Sequence, residues 1–344
     1  MKRHGNLWEK IISMETLRSS HEQAKKGKSH YTAVKEVEKD VEKHLKIIRE
    51  SLLNKTFTTG KYKIEDRMEG GKMRRIYKLA YYPDRIIQHA LISVIGPIFR
   101  KSLIRDTFQS LPCRGTSDAR RRVQKAMTGE DTPKYALKMD IKKYYPSVNN
   151  EKLKQIIKLK IKCKDTLWLI DNILDSMEGL PIGNLTSQYF GNVYLYPFDW
   201  WVKQTLKTKH YFRYCDDIIM LSNDKKQLRL WRKEIEIKLA ELDLTIKNDW
   251  QIYGLEKQGV DFVGYVFSPN HTRLRTTITD KFKAHALKAK RKQISAKRAL
   301  QVFVAYKGWM MRSNAKLLWR KHVTTTIINW VKDIYSTNPL KGAI

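Results

Sequence analysis

The chain has 344 residues, 42% hydrophobic, enough for two or three subdomains with a core of their own, so a disordered tail is excluded. No apolar run reaches the length of a membrane span. The formal net charge is +33, from 68 Lys and Arg against 35 Asp and Glu, which favours a polyanionic partner, nucleic acid above all, without separating a binder from an enzyme.

The start, Met1-Lys2-Arg3-His4-Gly5-Asn6, leads into an amphipathic segment and not a signal-peptide core, so a cytoplasmic protein is expected. Val34, Val37, Val41, Leu45, Ile48 and Leu52 then recur at helical spacing and predict one surface helix over 31–53. β-prone residues on either side of Glu69-Gly70-Gly71-Lys72 predict a hairpin within 57–79. Its returning strand carries Lys72, Arg74, Arg75 and Lys78. Residues 83–99 read as a helix interrupted at Gly96-Pro97. Residues 135–141 alternate and read as a strand with Asp140 near its end. Leu180-Pro181-Ile182-Gly183 is a turn, Asn184 or Thr186 caps the helix after it, and Pro197 is expected to kink or end that helix. A helix follows over 228–242 and a strand over 260–267. From Lys281 onward 15 Lys and Arg stand against one acid, Asp333, with apolar residues from Leu317 to Ile334 at helical spacing. A small helical domain with a basic face fits. Cys113, Cys163 and Cys215 are far apart, without zinc-like spacing, and read as thiols.

The chemistry concentrates in Tyr211-Phe212-Arg213-Tyr214-Cys215-Asp216-Asp217-Ile218-Ile219-Met220-Leu221. Two adjacent acids between two apolar, β-prone runs predict a hairpin with carboxylates at its tip. A relaxed two-residue turn prefers Asn-Gly or Asp-Gly, so Asp-Asp was not selected for turn geometry. Side-by-side carboxylates repel unless a cation lies between them, and a hard divalent ion suits oxygen ligands. The plain alternative is a solvated turn. Asp140 ends its strand 76 residues earlier; neighbouring strands would bring three carboxylates together, as a two-metal site requires. Lys72, Arg74 and Arg75 are placed to clamp a triphosphate, although one strand face holds only alternate residues.

These motifs, in this order, resemble those of reverse transcriptases. Asp140-Ile141-Lys142-Lys143-Tyr144-Tyr145-Pro146-Ser147 is similar to the family's first catalytic-aspartate motif. Tyr214-Cys215-Asp216-Asp217 is similar to its Tyr-x-Asp-Asp box, and Phe262-Val263-Gly264-Tyr265 to its primer-grip strand. Met73-Arg74-Arg75-Ile76 and Pro83-Asp84-Arg85-Ile86-Ile87-Gln88 resemble its fingers. The resemblance implies an α+β right-hand fold: N-terminal helices over 1–57, fingers over 58–134, a palm over 135–270 with a helical insertion near 150–178, and a basic helical thumb over 271–344. It implies Asp140, Asp216 and Asp217 as catalytic residues. Asp140, Asp216 and the Ile141 carbonyl would hold two Mg²⁺ ions, Mn²⁺ being the alternative, with Asp217 in support. Lys72, Arg74, Tyr145, Ile182 and Gln188 would form the nucleotide site, Tyr145 as an aromatic gate against the 2′-OH and Arg74 favoured over Arg75. Lys288, Lys290, Arg291 and Lys292 are the candidate nucleic-acid face. Lys247 is either a general acid for pyrophosphate or a solvated charge; Trp309 and Trp319 are core residues or stacking platforms.

One departure narrows the resemblance. Where most reverse transcriptases have Gln before the glycine of the next motif, this chain has Ile182, followed by Gly183-Asn184-Leu185-Thr186-Ser187-Gln188. That combination, with the compact length, resembles the enzymes of diversity-generating retroelements, which copy a template RNA, misincorporate opposite its adenines and work with a small oligomeric accessory variability protein. The rivals are a retron, antiphage-defence or intron-derived reverse transcriptase, and a silent RNA-binding protein on the same fold. The lack of an endonuclease or maturase-type extension speaks against an intron enzyme, and three converging acids speak against a silent binder.

Overall fold

The structure is a computed structural model that describes residues 3–128, 132–269 and 271–335; the side chains of Glu69, Lys72 and 331–335 lie outside that description. Four helices open the chain: α1 (Trp8–Ile12), α2 (Met14–Lys25), α3 (Thr32–Lys39) and α4 (Val41–Leu53). The single helix expected over 31–53 is therefore two. Asp40 leaves helical geometry (φ −154°, ψ 81°), and its carboxylate accepts from the Lys43 N–H at 3.0 Å, capping α4. Val34, Val37, Leu45, Ile48 and Leu52 are buried, as their spacing requires.

β1 (Lys63–Glu69) and β2 (Lys72–Lys78) form the expected hairpin through Gly70-Gly71. α5 (Ile86–Arg100) continues through Gly96-Pro97, against expectation. A helix proline removes one N–H, and here Ile95, Gly96 and Phe99 are buried around it while the Tyr189 hydroxyl donates to the Gly96 carbonyl. Next come β3 (Thr107–Phe108), α6 (Thr116–Ala126), β4 (Tyr135–Asp140), α7 (Asn150–Lys158), α8 (Lys164–Leu174) and α9 (Leu185–Gln204). α9 also continues past its proline, Pro197, because Val193, Tyr194, Leu195, Tyr196 and Phe198 are all buried. Its N-cap is Asn184, which makes no side-chain capping bond.

β5 (His210–Tyr214), β6 (Asp217–Ser222), α10 (Lys225–Ala240) and β7 (Gln251–Gly254) follow. β3, β5, β6, β4 and β7, in that order, make a five-stranded sheet, with β3 parallel to β5 and β4 antiparallel to β7. The strand expected over 260–267 is a hairpin, β8 (Val260–Phe262) and β9 (Tyr265–Ser268), to which β10 (His271–Leu274) adds. Val263 and Gly264 make the turn with φ of +46° and +85°. A Cβ on Gly264 would stand 2.7 Å from the Trp309 ring, so space and backbone both demand glycine there. α11 (Thr276–Lys290), α12 (Ala296–Met311), α13 (Lys316–His322) and α14 (Thr325–Tyr335) complete the described chain.

The chain forms two compact units. The first comprises Met1–Gly115, Met139–Ile218 and Leu230–Trp250. The second comprises Thr116–Lys138, Ile219–Arg229 and Gln251–Ile344. In the second, the Arg275 N–H donates to the Gly264 carbonyl at 3.0 Å, and the Arg275 guanidinium pairs with Asp261 at 2.6 Å. Trp309 packs on Tyr265 (ring centroids 5.1 Å apart) and Trp319 stacks on Phe282 (5.8 Å), so each has a ring face occupied. Leu317, one of the apolar residues at helical spacing, is exposed. No helix among the described residues is long and apolar enough to cross a membrane.

Candidate active site

The site lies in the first unit, where three chain segments meet. β4 ends at Asp140. The Ile141 N–H donates to the Asp216 carbonyl at 3.2 Å, and the Lys247 N–H donates to the Asp140 carbonyl at 2.8 Å. Ile141 bridges antiparallel to Ile246, and the Lys142 N–H reaches the Thr245 carbonyl at 2.8 Å. Asp140 is thus fixed by main-chain bonds on both sides.

The expected tip of the acidic hairpin shifts by one residue. Cys215 and Asp216 connect the strands, and Asp217 already opens β6. Cys215 takes the positive φ, +59°, in place of the usual glycine. Its thiol is buried and donates to the Tyr145 hydroxyl at 3.3 Å. Burial, followed by the nearby Asp216 charge, pushes the thiol up to about 12, so it remains a neutral donor. Burial and Cys215 likewise push the Tyr145 phenol up.

Asp140 is also above its ordinary value. Burial is the main cause, the Asp216 and Asp249 charges add to it, and the Lys247 ammonium opposes it. Lys247 donates to Asp140 Oδ1. Burial lowers the Lys247 ammonium, but its bond to Asp140 and the charges of Asp140, Asp216 and Asp249 together hold it above its ordinary value. Lys247 is therefore not a solvated charge; it is a cation resting on the acid cluster. The donor set is all oxygen, the ligand type a hard divalent ion takes, and the Lys247 ammonium drawn to it shows that the cluster attracts a cation, so these residues fit one.

Of the nucleotide-site candidates, Tyr145 is tied to the acid hairpin through Cys215, Ile182 is tied to β2, and Gln188 bonds elsewhere. The Tyr77 N–H donates to the Ile182 carbonyl at 2.8 Å, joining β2 to the turn before α9. A Cβ on Gly183 (φ +121°) would lie 2.8 Å from the Tyr77 carbonyl oxygen and 3.0 Å from Ile76 Cγ2. Only glycine permits that approach. Ile76 faces this turn, and strand alternation puts Arg74 and Lys78 on the Ile76 face. Arg75 lies on the other face and pairs with Asp66 at 3.2 Å. The Lys72 side chain lies outside the described residues. Tyr145 begins a short 3-10 turn (Tyr145–Ser147), and its carbonyl accepts from the Leu180 N–H at 2.9 Å. Gln188, in the first turn of α9, is exposed and accepts from the Ser110 hydroxyl at 3.1 Å. Lys288, Lys290, Arg291 and Lys292 are all exposed at the C-terminal end of α11, in the second unit.

Sequence reasoning missed Asp249 and the pairing of Lys247, because nothing in their spacing marks them. It also passed over Arg213, although a charge inside an apolar strand is a signal. Arg213 is fully buried.

The sequence profile described as reverse transcriptase (RNA-dependent DNA polymerase) matches residues 63–267, more than half of the chain. No curated protein matches it. Among solved structures, apo telomerase from Candida tropicalis is similar with a TM-score of 0.51 at 13% identity, over 72% of this chain and 51% of that one. Telomerase from Candida albicans, in complex with a TWJ fragment of telomeric RNA, aligns with a TM-score of 0.49 at 12% identity, over 80% and 56%. The chain spans about half the length of these telomerases, and at 13% identity the likeness to the Candida tropicalis structure concerns the fold alone. The matched stretch runs from β1 into β9 and contains Asp140 and Asp217 on the mixed sheet and Asp216 in the turn between β5 and β6; with its α+β architecture, the chain belongs to the reverse transcriptase (RNA-dependent DNA polymerase) family.

Proposed function

We propose that this protein is an RNA-directed DNA polymerase that uses two divalent ions, Mg²⁺ with Mn²⁺ as the alternative. The observation that carries the reading is the junction of Asp140 and Asp216, with the Lys247 cation resting on it, in a chain of net charge +33. Clustered acids in so basic a protein would repel nucleic acid unless they hold metal. Asp140, Asp216 and the Ile141 carbonyl would hold the ions, and Asp217 would support them. Bound there, the ions would activate the primer hydroxyl and steady the leaving pyrophosphate. Arg74 and Lys72 of β2 would bind the triphosphate, Arg through its planar fork. Tyr145, held by Cys215, would exclude a 2′-OH. Residues 58–134 would act as fingers, 135–270 as palm and 271–344 as thumb, with Lys288, Lys290, Arg291 and Lys292 on the duplex phosphates.

The finer reading is a diversity-generating retroelement enzyme, error-prone opposite template adenine and assisted by a small oligomeric accessory variability protein. It is supported by Ile182 at the turn where most of the family has Gln, joined directly to β2 through Tyr77. The test of the polymerase reading is Asp216→Asn. Primer extension should be lost while RNA affinity by filter binding stays near wild type. Extension at the wild-type rate would remove the metal assignment.

A further inference from the structure

Arg213 is the largest fully buried side chain, and nothing in the polymerase reading uses it. Its guanidinium is paired with Asp199 of α9, which is equally buried, through Nε at 2.7 Å and Nη2 at 2.6 Å. The Asp199 carboxylate is completed by the Tyr211 hydroxyl at 2.7 Å and the Thr107 hydroxyl at 3.0 Å. That ion pair leaves Nη1 to spare. It donates to the Cys215 carbonyl at 3.0 Å and to Asn192 Oδ1 at 3.3 Å. Asn192 in turn donates to the Gln109 carbonyl at 2.9 Å, in a stretch where Gln109 and Ser110 both have positive φ (82° and 52°).

The Cys215 carbonyl belongs to the peptide that enters Asp216. Its residue holds a backbone conformation that side chains disfavour, so something must keep it there. A buried, charge-assisted bond from a group that is itself clamped can do so. We propose that Arg213 is a positioning residue: it fixes the Cys215 peptide and so sets the Asp216 carboxylate for metal binding. This rests on the reading of Asp216 as a metal ligand. The rival is a residue that merely stabilises the fold, and the two differ in what metal affinity does when the ion pair is kept but the fork is lost.

The experiment measures Mn²⁺ binding by electron paramagnetic resonance on the full chain, beside melting temperature and the Mg²⁺ concentration for half-maximal extension. Arg213→Lys keeps a cation for Asp199 but cannot also reach the Cys215 carbonyl. It should weaken Mn²⁺ binding about tenfold, the typical loss when a partner behind a metal ligand is removed, and raise the half-maximal Mg²⁺ by a similar factor. Asp199→Asn keeps the Arg213 bond to the Cys215 carbonyl; it should lower the melting temperature yet leave Mn²⁺ affinity within about twofold. Equal loss of metal affinity in both variants, or wild-type affinity in Arg213→Lys, would overturn the proposal. If Arg213→Lys does not fold, the apolar pair Arg213→Met with Asp199→Leu replaces it, since such swaps preserve buried packing. That pair should fold and bind Mn²⁺ weakly; wild-type affinity in it also overturns the proposal. Asp216→Asn in the same titration separates the two readings. Unchanged Mn²⁺ binding there means that Asp216 holds no metal, whatever Arg213 does.

Discussion

Lys247 meets Asp140 twice. Its backbone N–H donates to the Asp140 carbonyl at 2.8 Å, and its ammonium donates to the Asp140 carboxylate. Any metal at Asp140 must compete with that ammonium. The pair is part-exposed, so the competition is worth up to about 1 kcal/mol. Lys247→Met should therefore tighten Mn²⁺ binding by about two- to fivefold. Weaker binding would mean that the ammonium aims the carboxylate instead of opposing the ion.

Sugar choice should depend on Tyr145 and on the thiol that holds it. Tyr145→Ala is expected to admit ribonucleotides by opening space beside the 2′ carbon. Cys215→Ala removes the 3.3 Å bond to the hydroxyl but keeps the ring, so its effect on the ratio should be in the same direction and smaller. Single-nucleotide insertion of dNTP and rNTP measures both ratios. If Tyr145→Ala leaves its ratio unchanged, the gate lies elsewhere.

RNA affinity should fall steeply with salt, because each neutralised phosphate releases condensed counterions. Neutralising Lys288, Lys290, Arg291 and Lys292 together should flatten the slope of log affinity against log salt, by about 0.7 for each phosphate that no longer meets a cation. These four are exposed at the end of α11, so the substitution should leave the melting temperature alone. An unchanged slope would show that this face does not meet the RNA.

Ile182→Gln tests the retroelement reading. A hydrogen bond near the incoming nucleotide is worth about 0.5–1.5 kcal/mol, or roughly two- to thirteen-fold in discrimination. The expected result is fewer errors opposite template adenine by a factor in that range, with some errors remaining. Sequencing of cDNA made on one template by both enzymes decides it. An unchanged adenine error rate with normal synthesis would take Ile182 out of fidelity.

Acid should weaken the fold through His89. Burial lowers its imidazole to about 4, with the Lys28 and Arg85 charges acting the same way. The unfolded ring titrates near 6.5, so below that pH the unfolded chain binds a proton that the folded chain refuses. Stability from this group is complete above about pH 6.5, declines towards pH 4 by at most about 3 kcal/mol, and changes no further below. Melting curves of wild type and His89→Gln should diverge over that window, the variant losing less. Parallel curves would show that the ring is not held neutral.

Much of the fold was legible because it is local. The buried positions of α3 and α4, the Gly70-Gly71 turn and β4 ending at Asp140 follow from spacing and turn chemistry. Most of the misjudged points required a partner elsewhere. Asp40 broke a periodic run because its own side chain capped what followed. Pro97 and Pro197 failed to break helices whose flanks are buried against other elements. Val263 became a turn residue where Gly264 lies against Trp309, 45 positions away.

The acids, the order of the motifs around them and the basic charge are written in the chain as residue type and spacing. Which charges meet was settled only by folding. Lys247 reaches Asp140 from 107 residues away, Arg213 reaches both Asp199 and the Cys215 carbonyl, and Ile76 rather than Arg75 faces Gly183. The reason is physical: periodicity tells which face of an element is buried, but not which element covers it. An ion pair or hydrogen bond acts over a few ångströms, and only the folded chain brings those atoms that close.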